Sequence, residues 1–259
     1  MDRPGSWLAL VIGNSRLHWA QFKGDRLHKT WNTPHLSGSP THACFQNGEE
    51  ALDQEKVEWL KELCEIWIAS VVPAQNHYWE NNPNAHFISL KLVPLKGMYS
   101  TFGIDRALAL WGAIQTVGSP ALMIDAGTAL TFTGADEHHQ LVGGAILPGL
   151  GLQFRSLGEA TAALPVHPSS RPPSHPLPNR WALNTEDAIA SGILYTLLAG
   201  IQSFVEDWWQ QFPGSAVVMT GGDGKDLHQY LGERSPELAS KISLNPHVIF
   251  EGIRALRIT

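Results

Sequence analysis

The sequence is poor in cysteine, in clustered basic residues and in long apolar runs, and each shortage excludes a class of protein. Its 259 residues include two cysteines, Cys44 and Cys64, which form neither a disulfide framework nor a zinc site. Lysine and arginine total 18 against 24 acidic residues, so the net charge of −6 offers no basic surface for nucleic acid or an anionic membrane. This charge is compatible with a small neutral or anionic ligand bound at a local site, and a reducing cytoplasmic location fits the cysteine content.

Apolar runs are short throughout the chain. The stretch from Trp7 to Ile12 is too short for the apolar core of a secretory signal, and no later segment approaches about 18 apolar residues. We therefore predict neither export nor membrane insertion. Hydrophobic residues still make up 43% of the chain, which is enough to bury a sizeable core in one large domain or two of ordinary size.

Two stretches of the sequence, VIGNSRLHW at 11–19 and IDAGTALTF at 124–132, share one pattern. In each stretch an apolar run ends at a glycine followed by a small polar residue, and a second apolar run begins, as in a β-hairpin. Aligning Gly13 with Gly127 brings the two stretches into the same register. The pattern therefore indicates an internal repeat.

Each half of the repeat is predicted to open with a three-stranded antiparallel meander. The second turns of the two meanders are placed at 23–25 and 134–136, and the halves themselves at 1–118 and 119–259. Further strands are predicted at 66–72, 86–90 and 216–220, helices at 53–63, 105–117 and 186–211, and an exposed loop at 167–178. The predicted fold class is α/β, with two duplicated domains facing a cleft.

The two glycine turns suggest a phosphate-binding role. A tight turn of glycine and a small polar residue exposes backbone N–H groups that bind phosphate oxygens, and a carboxylate beside it, such as Asp125, can hold a cation. Two such turns suit phosphoryl transfer, in which positioning and charge stabilisation supply most of the catalysis. Either turn alone is better explained as an ordinary hairpin turn, but their repetition at matched positions favours the functional interpretation.

Several motifs occur in the order found in one enzyme family. They are VIGNS at 11–15, GIDR at 103–106, DAGTALT at 125–131, GGAILPGLGL at 143–152, NTEDAIASG at 184–192 and TGGDG at 220–224. Together they resemble the motifs of type III pantothenate kinases, within the actin-like ATPase and sugar kinase superfamily. The resemblance implies two ribonuclease H-like, actin-like domains facing a nucleotide cleft. It also implies ATP-dependent phosphorylation of pantothenate to 4'-phosphopantothenate, the first step of coenzyme A biosynthesis.

The resemblance also assigns roles to individual residues. It implies a homodimer that uses ATP, Mg²⁺ and a monovalent cation, K⁺ or NH₄⁺, with Asp105 as the catalytic base and Asp125 as the ligand of the monovalent cation. The pantothenate-binding residues that it implies are Gly103, Ile104, Asp105, Arg106 and Thr185. The ATP-binding residues that it implies are Val11, Ile12, Gly13, Asn14, Ser15, Arg16 and Thr128.

Each of these polar residues also has a purely structural explanation. Asp105 can serve as a favourable charge at a helix N-terminus, and Arg106 as a partner in a surface salt bridge. Asp125 can bond its own turn, and Thr185 or Asn184 can cap a helix. The sequence leaves these alternatives open.

The chain departs from the family pattern at two places. Val11 stands where the family usually has an aspartate in the first phosphate loop, and Tyr99 lies near the position of a substrate-contacting tyrosine but at a shorter spacing. Either Mg²⁺ is held by ATP oxygens, water and the second loop, or the chain only binds nucleotide. We favour an active pantothenate kinase. The alternatives are a non-catalytic nucleotide-binding accessory protein and a kinase of another small hydroxylated acid or sugar.

Overall fold

The computed structural model describes residues 5–36, 65–160 and 176–258, and these form two compact units. The first unit comprises the chain up to residue 94, residues 99–108 and the C-terminal segment from residue 249. The second comprises residues 95–98 and 109–248. The domain boundary at residue 118 that the repeat suggests stays a prediction.

A five-stranded mixed sheet forms the first unit. Its strands are β1 (Ser6–Ile12), β2 (Leu17–Lys23), β3 (Arg26–Thr33), β4 (Ile66–Ser70) and β5 (Ala85–Phe87). The first three strands are an antiparallel meander, while β4 adds parallel to β1 and β5 parallel to β4, giving the order β3-β2-β1-β4-β5. Two short 3₁₀ segments follow β4 and β5, at Pro73–Tyr78 and Leu90–Leu92.

The second unit repeats this sheet. Its strands are β6 (Ala121–Ala126), β7 (Ala129–Ala135), β8 (Leu141–Pro148), β9 (Ala216–Thr220) and β10 (Ile242–Leu244). Their order is β10-β9-β6-β7-β8, again a meander with two parallel strands added beside its first strand. The matching strand orders confirm the α/β duplication that the sequence predicts.

Six α-helices complete the described part of the chain. They are α1 (Ile104–Val117), α2 (Leu150–Ala160), α3 (Thr185–Gln211), α4 (Gly224–Arg234), α5 (Pro236–Ala239) and α6 (Val248–Ile258). The longest, α3, buries one face on the sheet of the second unit, because its apolar residues recur every three or four positions. By length and composition α3 alone among the described helices is long and apolar enough to cross a membrane, and this buried face is that of a core helix.

In the first unit the meander directs alternate side chains to opposite faces of the sheet. Leu8, Leu10 and Ile12 of β1 lie in one hydrophobic core with Trp19 of β2. Because strand side chains alternate, Val11 lies on the other face of the sheet. This assignment decides which residues surround position 11.

The C-terminal helix α6 is fastened to the first sheet by an ion pair. The guanidinium of Arg257, 8% exposed, donates two hydrogen bonds of 2.9 and 3.0 Å to Glu65 Oε2 and stacks 4.8 Å above the ring of Trp7. Burial by itself raises the pKa of Glu65, but hydrogen bonds from Trp67 and Arg257 outweigh it, so this pKa lies below its ordinary value. The stabilisation is present at neutral pH and is lost as the pH falls through that lowered pKa.

Several element predictions are confirmed and several need correction. The meanders, β9 and the helices at 105–117 and 186–211 are confirmed within a residue or two. The second turn of the second meander lies at 136–140 and not at 134–136, because Gly134 still pairs with Gly143 of β8. The predicted strand at 86–90 ends at Phe87. The predicted helix at 53–63 and most of the loop at 167–178 lie outside the described residues.

Candidate functional site

The first phosphate-loop candidate is the turn between β1 and β2. The Gly13 amide donates a hydrogen bond of 3.0 Å to the Arg16 carbonyl, and the His35 ring nitrogen Nε2 lies 2.7 Å from the Gly13 carbonyl oxygen. The Gly13 amide is therefore used inside the turn. Asn14, Ser15 and Arg16 form the exposed part of the loop, so they are the residues that can meet a phosphate.

The second candidate is the tighter turn between β6 and β7. Ala126 pairs with Leu130 across this turn, whereas Ile12 pairs with Leu17 across the first, so the first turn is one residue longer. The ungapped alignment of the two loops is therefore valid only up to Thr128, which is exposed at the tip.

Two glycines from other segments pack directly on this second loop. A β-carbon at Gly149 would collide with the carbonyl oxygens of Gly127 and Thr128, and one at Gly221 would collide with the backbone of Ala126. Gly221 also has a φ of +93°, which a side chain would strain. The glycine turn after β9 is thus explained by close backbone approach to the loop.

The strand registers give the neighbours of Asp125 and of Val11, which stands at the matching position of the repeat. Asp125 lies between Thr131 on β7 and Thr220 on β9, and Val11 occupies the equivalent place between His18 on β2 and Ala69 on β4. Val11 is 4% exposed, while Asp125 is half-buried. The second site is therefore rich in oxygen atoms, whereas the first presents an aliphatic side chain and an imidazole.

We expect the substitution Val11→Asp to destabilise the protein by about 1–3 kcal/mol, because it places a charge at a nearly fully buried strand position. A thermal melt and a Mg²⁺ titration of both proteins measure the two possible effects. An equally stable variant with a lower Mg²⁺ requirement would show instead that Val11 is a loss of function. Val142→Asp, at an exposed position of edge strand β8, is the matched control for adding a charge to a strand.

The GIDR motif begins α1 in the first unit. Asp105 is the second residue of the helix, and its Oδ1 accepts a hydrogen bond of 2.8 Å from the Arg106 amide. A β-carbon at Gly103 would lie 2.5 Å from the same oxygen. Glycine at 103 is therefore required for this position of the Asp105 carboxylate.

Arg106 is held in place by aromatic residues. Its side chain is 8% exposed, its Nη1 donates a hydrogen bond of 3.1 Å to the Tyr99 hydroxyl, and its guanidinium lies 4.8 Å from the centre of the Phe102 ring. The Arg106 side chain is therefore buried against aromatic residues and not exposed on the surface. Through its hydrogen bond to Arg106, the half-exposed Tyr99 lies beside the GIDR motif.

Thr185 lies at the exposed start of α3. The cap of this helix is Asn184, whose Oδ1 accepts a hydrogen bond of 2.9 Å from the Asp187 amide. Thr185 therefore does not serve as the cap, and its hydroxyl remains a candidate for substrate binding.

The donor set indicates how a metal could be held. Within the described residues, no group of three or more His, Cys, Asp and Glu side chains is arranged to hold a metal ion. Mg²⁺ does not need such a cluster, because this ion keeps several waters and binds through substrate phosphates with few protein ligands. The oxygen-rich surroundings of Asp125 fit a monovalent cation equally well.

The sequence model of the family described as type III pantothenate kinase matches residues 7–207. The chain is 48% identical to a type III pantothenate kinase of Nostoc sp., over 96% of this chain and 94% of that protein, and 44% identical to one of Synechocystis sp., over 98% and 91%.

Solved structures show the same fold at low identity. They include component A of the (R)-2-hydroxyglutaryl-CoA dehydratase of Acidaminococcus fermentans, with a TM-score of 0.54 at 15% identity, over 97% of this chain and 96% of that one. The activator of the 2-hydroxyisocaproyl-CoA dehydratase of Clostridium difficile, with bound ADPNP, has a TM-score of 0.50 at 11% identity, over 98% and 94%.

Proposed function

Because this chain belongs to the type III pantothenate kinase family and is thus a pantothenate kinase of coenzyme A biosynthesis, we propose that Asp105 is the base of its reaction. The pantothenate hydroxyl loses its proton to this carboxylate as its oxygen attacks the γ-phosphorus of ATP, and the bond to the β-phosphate oxygen breaks. ADP and 4'-phosphopantothenate are the products. A base placed in this way contributes roughly 10²- to 10⁴-fold to the rate.

The geometry of GIDR supports this role. The Arg106 amide donates a hydrogen bond to Oδ1 of Asp105, so Oδ2 is the oxygen that we assign to the substrate hydroxyl. Gly103 and Ile104 complete the turn that leads to it. The observation that carries the proposal is the buried Arg106 guanidinium, held by Tyr99 and Phe102 one residue after Asp105.

We assign the binding of pantothenate to Arg106 and Thr185. The planar guanidinium suits a carboxylate, which pantothenate carries at the end opposite to its reactive hydroxyl region, and the Thr185 hydroxyl suits a polar contact. Tyr99 orients Arg106 through its hydrogen bond.

The triphosphate is assigned to the first loop, Val11 to Arg16, and to Thr128. Val11 and Ile12 contribute backbone at the end of β1, and the exposed loop residues contribute polar groups. Mg²⁺, bound with ATP, supplies charge neutralisation for the transferred phosphoryl group. Asp125 is the proposed ligand of K⁺ or NH₄⁺. We further propose a cytoplasmic homodimer.

One assay tests the proposal. Purified protein with ATP, Mg²⁺, K⁺ and pantothenate should form ADP and 4'-phosphopantothenate in equal amounts, and sedimentation should give twice the chain mass. ATP binding without turnover would favour a non-catalytic accessory protein. This alternative arises because Val11 stands where the family usually has an aspartate. Turnover only with another hydroxylated acid or a sugar would favour a kinase of that substrate.

A further inference from the structure

In each turn of the repeat a polar side-chain atom lies at nearly the same distance from the glycine, but it comes from a different strand. At the second turn, Asp125 Oδ1 lies 3.5 Å from the position of a β-carbon on Gly127. At the first turn, His18 Nε2 lies 3.4 Å from the position of a β-carbon on Gly13. The acceptor beside the glycine thus comes from the first strand in one unit and from the second strand in the other.

The cross-strand register explains this exchange. Val11 pairs directly with His18 across the hairpin, so the two side chains share one face of the sheet. An imidazole is longer than a carboxylate and reaches the turn from the neighbouring strand. The position opposite it can then be aliphatic, as Val11 is.

The hydrogen bond on the other ring nitrogen sets the tautomer of His18. Nδ1 lies 2.7 Å from Oδ1 of Asn32, the residue paired with His18 on β3. Because a carbonyl oxygen only accepts, Nδ1 carries the proton and Nε2 presents its lone pair toward the turn. Burial lowers the pKa of His18 below its ordinary value, against the opposing effect of the Asn32 hydrogen bond, and the nearby Arg16 charge lowers it further, which favours the neutral ring.

We propose that His18 replaces the missing first-loop carboxylate by accepting, at Nε2, a hydrogen bond from a water on the hydrated Mg²⁺ that accompanies ATP. Magnesium is a hard ion that retains its waters, so an imidazole acts on it through water more readily than by direct ligation. His18 is therefore a positioning residue for the metal and the triphosphate. The inference rests on the proposed role of the first loop in binding ATP.

The test measures ATP binding by calorimetry with and without Mg²⁺, and needs no turnover. Since loss of an outer-sphere partner typically costs about 10- to 100-fold in metal affinity, His18→Ala should weaken Mg²⁺-dependent ATP binding by about tenfold or more. Binding of ATP in the presence of a chelator should stay at the wild-type level. His28→Ala, a histidine at an exposed position of β3 in the same meander, is the matched control and should change neither.

A second variant separates this role from simple packing. The substitution His18→Ala vacates the space beside position 11. Adding Val11→Asp should then restore Mg²⁺-dependent ATP binding, because it places a carboxylate on the first strand of the hairpin, where the second unit has Asp125. Rescue in the double variant supports the proposal. Equal Mg²⁺-dependent binding in wild type and His18→Ala, or a loss that Val11→Asp does not restore in a folded double variant, overturns it. Absence of any Mg²⁺-dependent ATP binding in the wild type would instead overturn the proposed function.

Discussion

Asp105→Asn is expected to lower turnover by about 10²-fold or more while ATP binding stays nearly intact. The amide side chain retains an oxygen that can accept the 2.8 Å hydrogen bond from the Arg106 backbone, so the start of α1 should keep its geometry. What the variant loses is a group able to accept the hydroxyl proton of the substrate. The fall should therefore appear in kcat and not in the affinity for nucleotide.

The matched control for this variant is Glu186→Gln, which also removes a carboxylate from the second residue of a helix, here α3. It should leave turnover near the wild-type level. Steady-state kinetics with both substrates varied, together with calorimetry for ATP, measures the two quantities. Near wild-type turnover in Asp105→Asn would remove this residue from the role of base and leave it as a helix N-terminal charge.

Asp125→Ala is expected to abolish stimulation by K⁺ and to weaken ATP binding, because phosphate charge then loses a compensating ion. The strand registers set this carboxylate between Thr131 and Thr220, both buried, so its removal takes away the charged member of an oxygen-rich group. The measurement is a titration of turnover with K⁺ at constant ionic strength. The ATP affinity is determined at the lowest and at the highest K⁺ concentration.

Asp136→Ala provides the control for the cation experiment, since this aspartate binds the backbone of its own turn in the same unit. It should leave the response to K⁺ unchanged. A wild-type protein whose activity does not vary across the titration would argue against a monovalent cation site altogether.

The sequence was sufficient to predict the duplicated meanders, because alternating apolar residues around a glycine turn determine a hairpin locally. It was not sufficient for α2, which begins in a glycine-rich stretch. Nor was it sufficient for α6, whose Arg257 pairs with Glu65, far away in the chain. Propensity gives little warning of helices that tertiary packing stabilises.

In the candidate site, too, the sequence identifies some residues, while the contacts of others depend on the three-dimensional structure. Asp105 and Asp125 are identified by the resemblance of their motifs to those of the family, and their roles stay predictions. The contribution of His18 depends on its pairing with Val11, and that register follows from the length of the turn, which the ungapped alignment with the second loop places one residue too short. The burial of Arg106 likewise depends on Phe102 and Tyr99, whose side chains no periodic pattern directs toward it.

The ion pair between Arg257 and Glu65 has a consequence for the order in which the protein can fold during synthesis. Domains generally fold as units, N-terminal first, while the ribosome is still adding residues. Here the first unit includes the segment from residue 249, which leaves the ribosome only after the whole second unit. During synthesis Glu65 and Trp7 therefore lack the Arg257 guanidinium until α6 has been made. The N-terminal half should be the more dependent on chaperones, although it is made first.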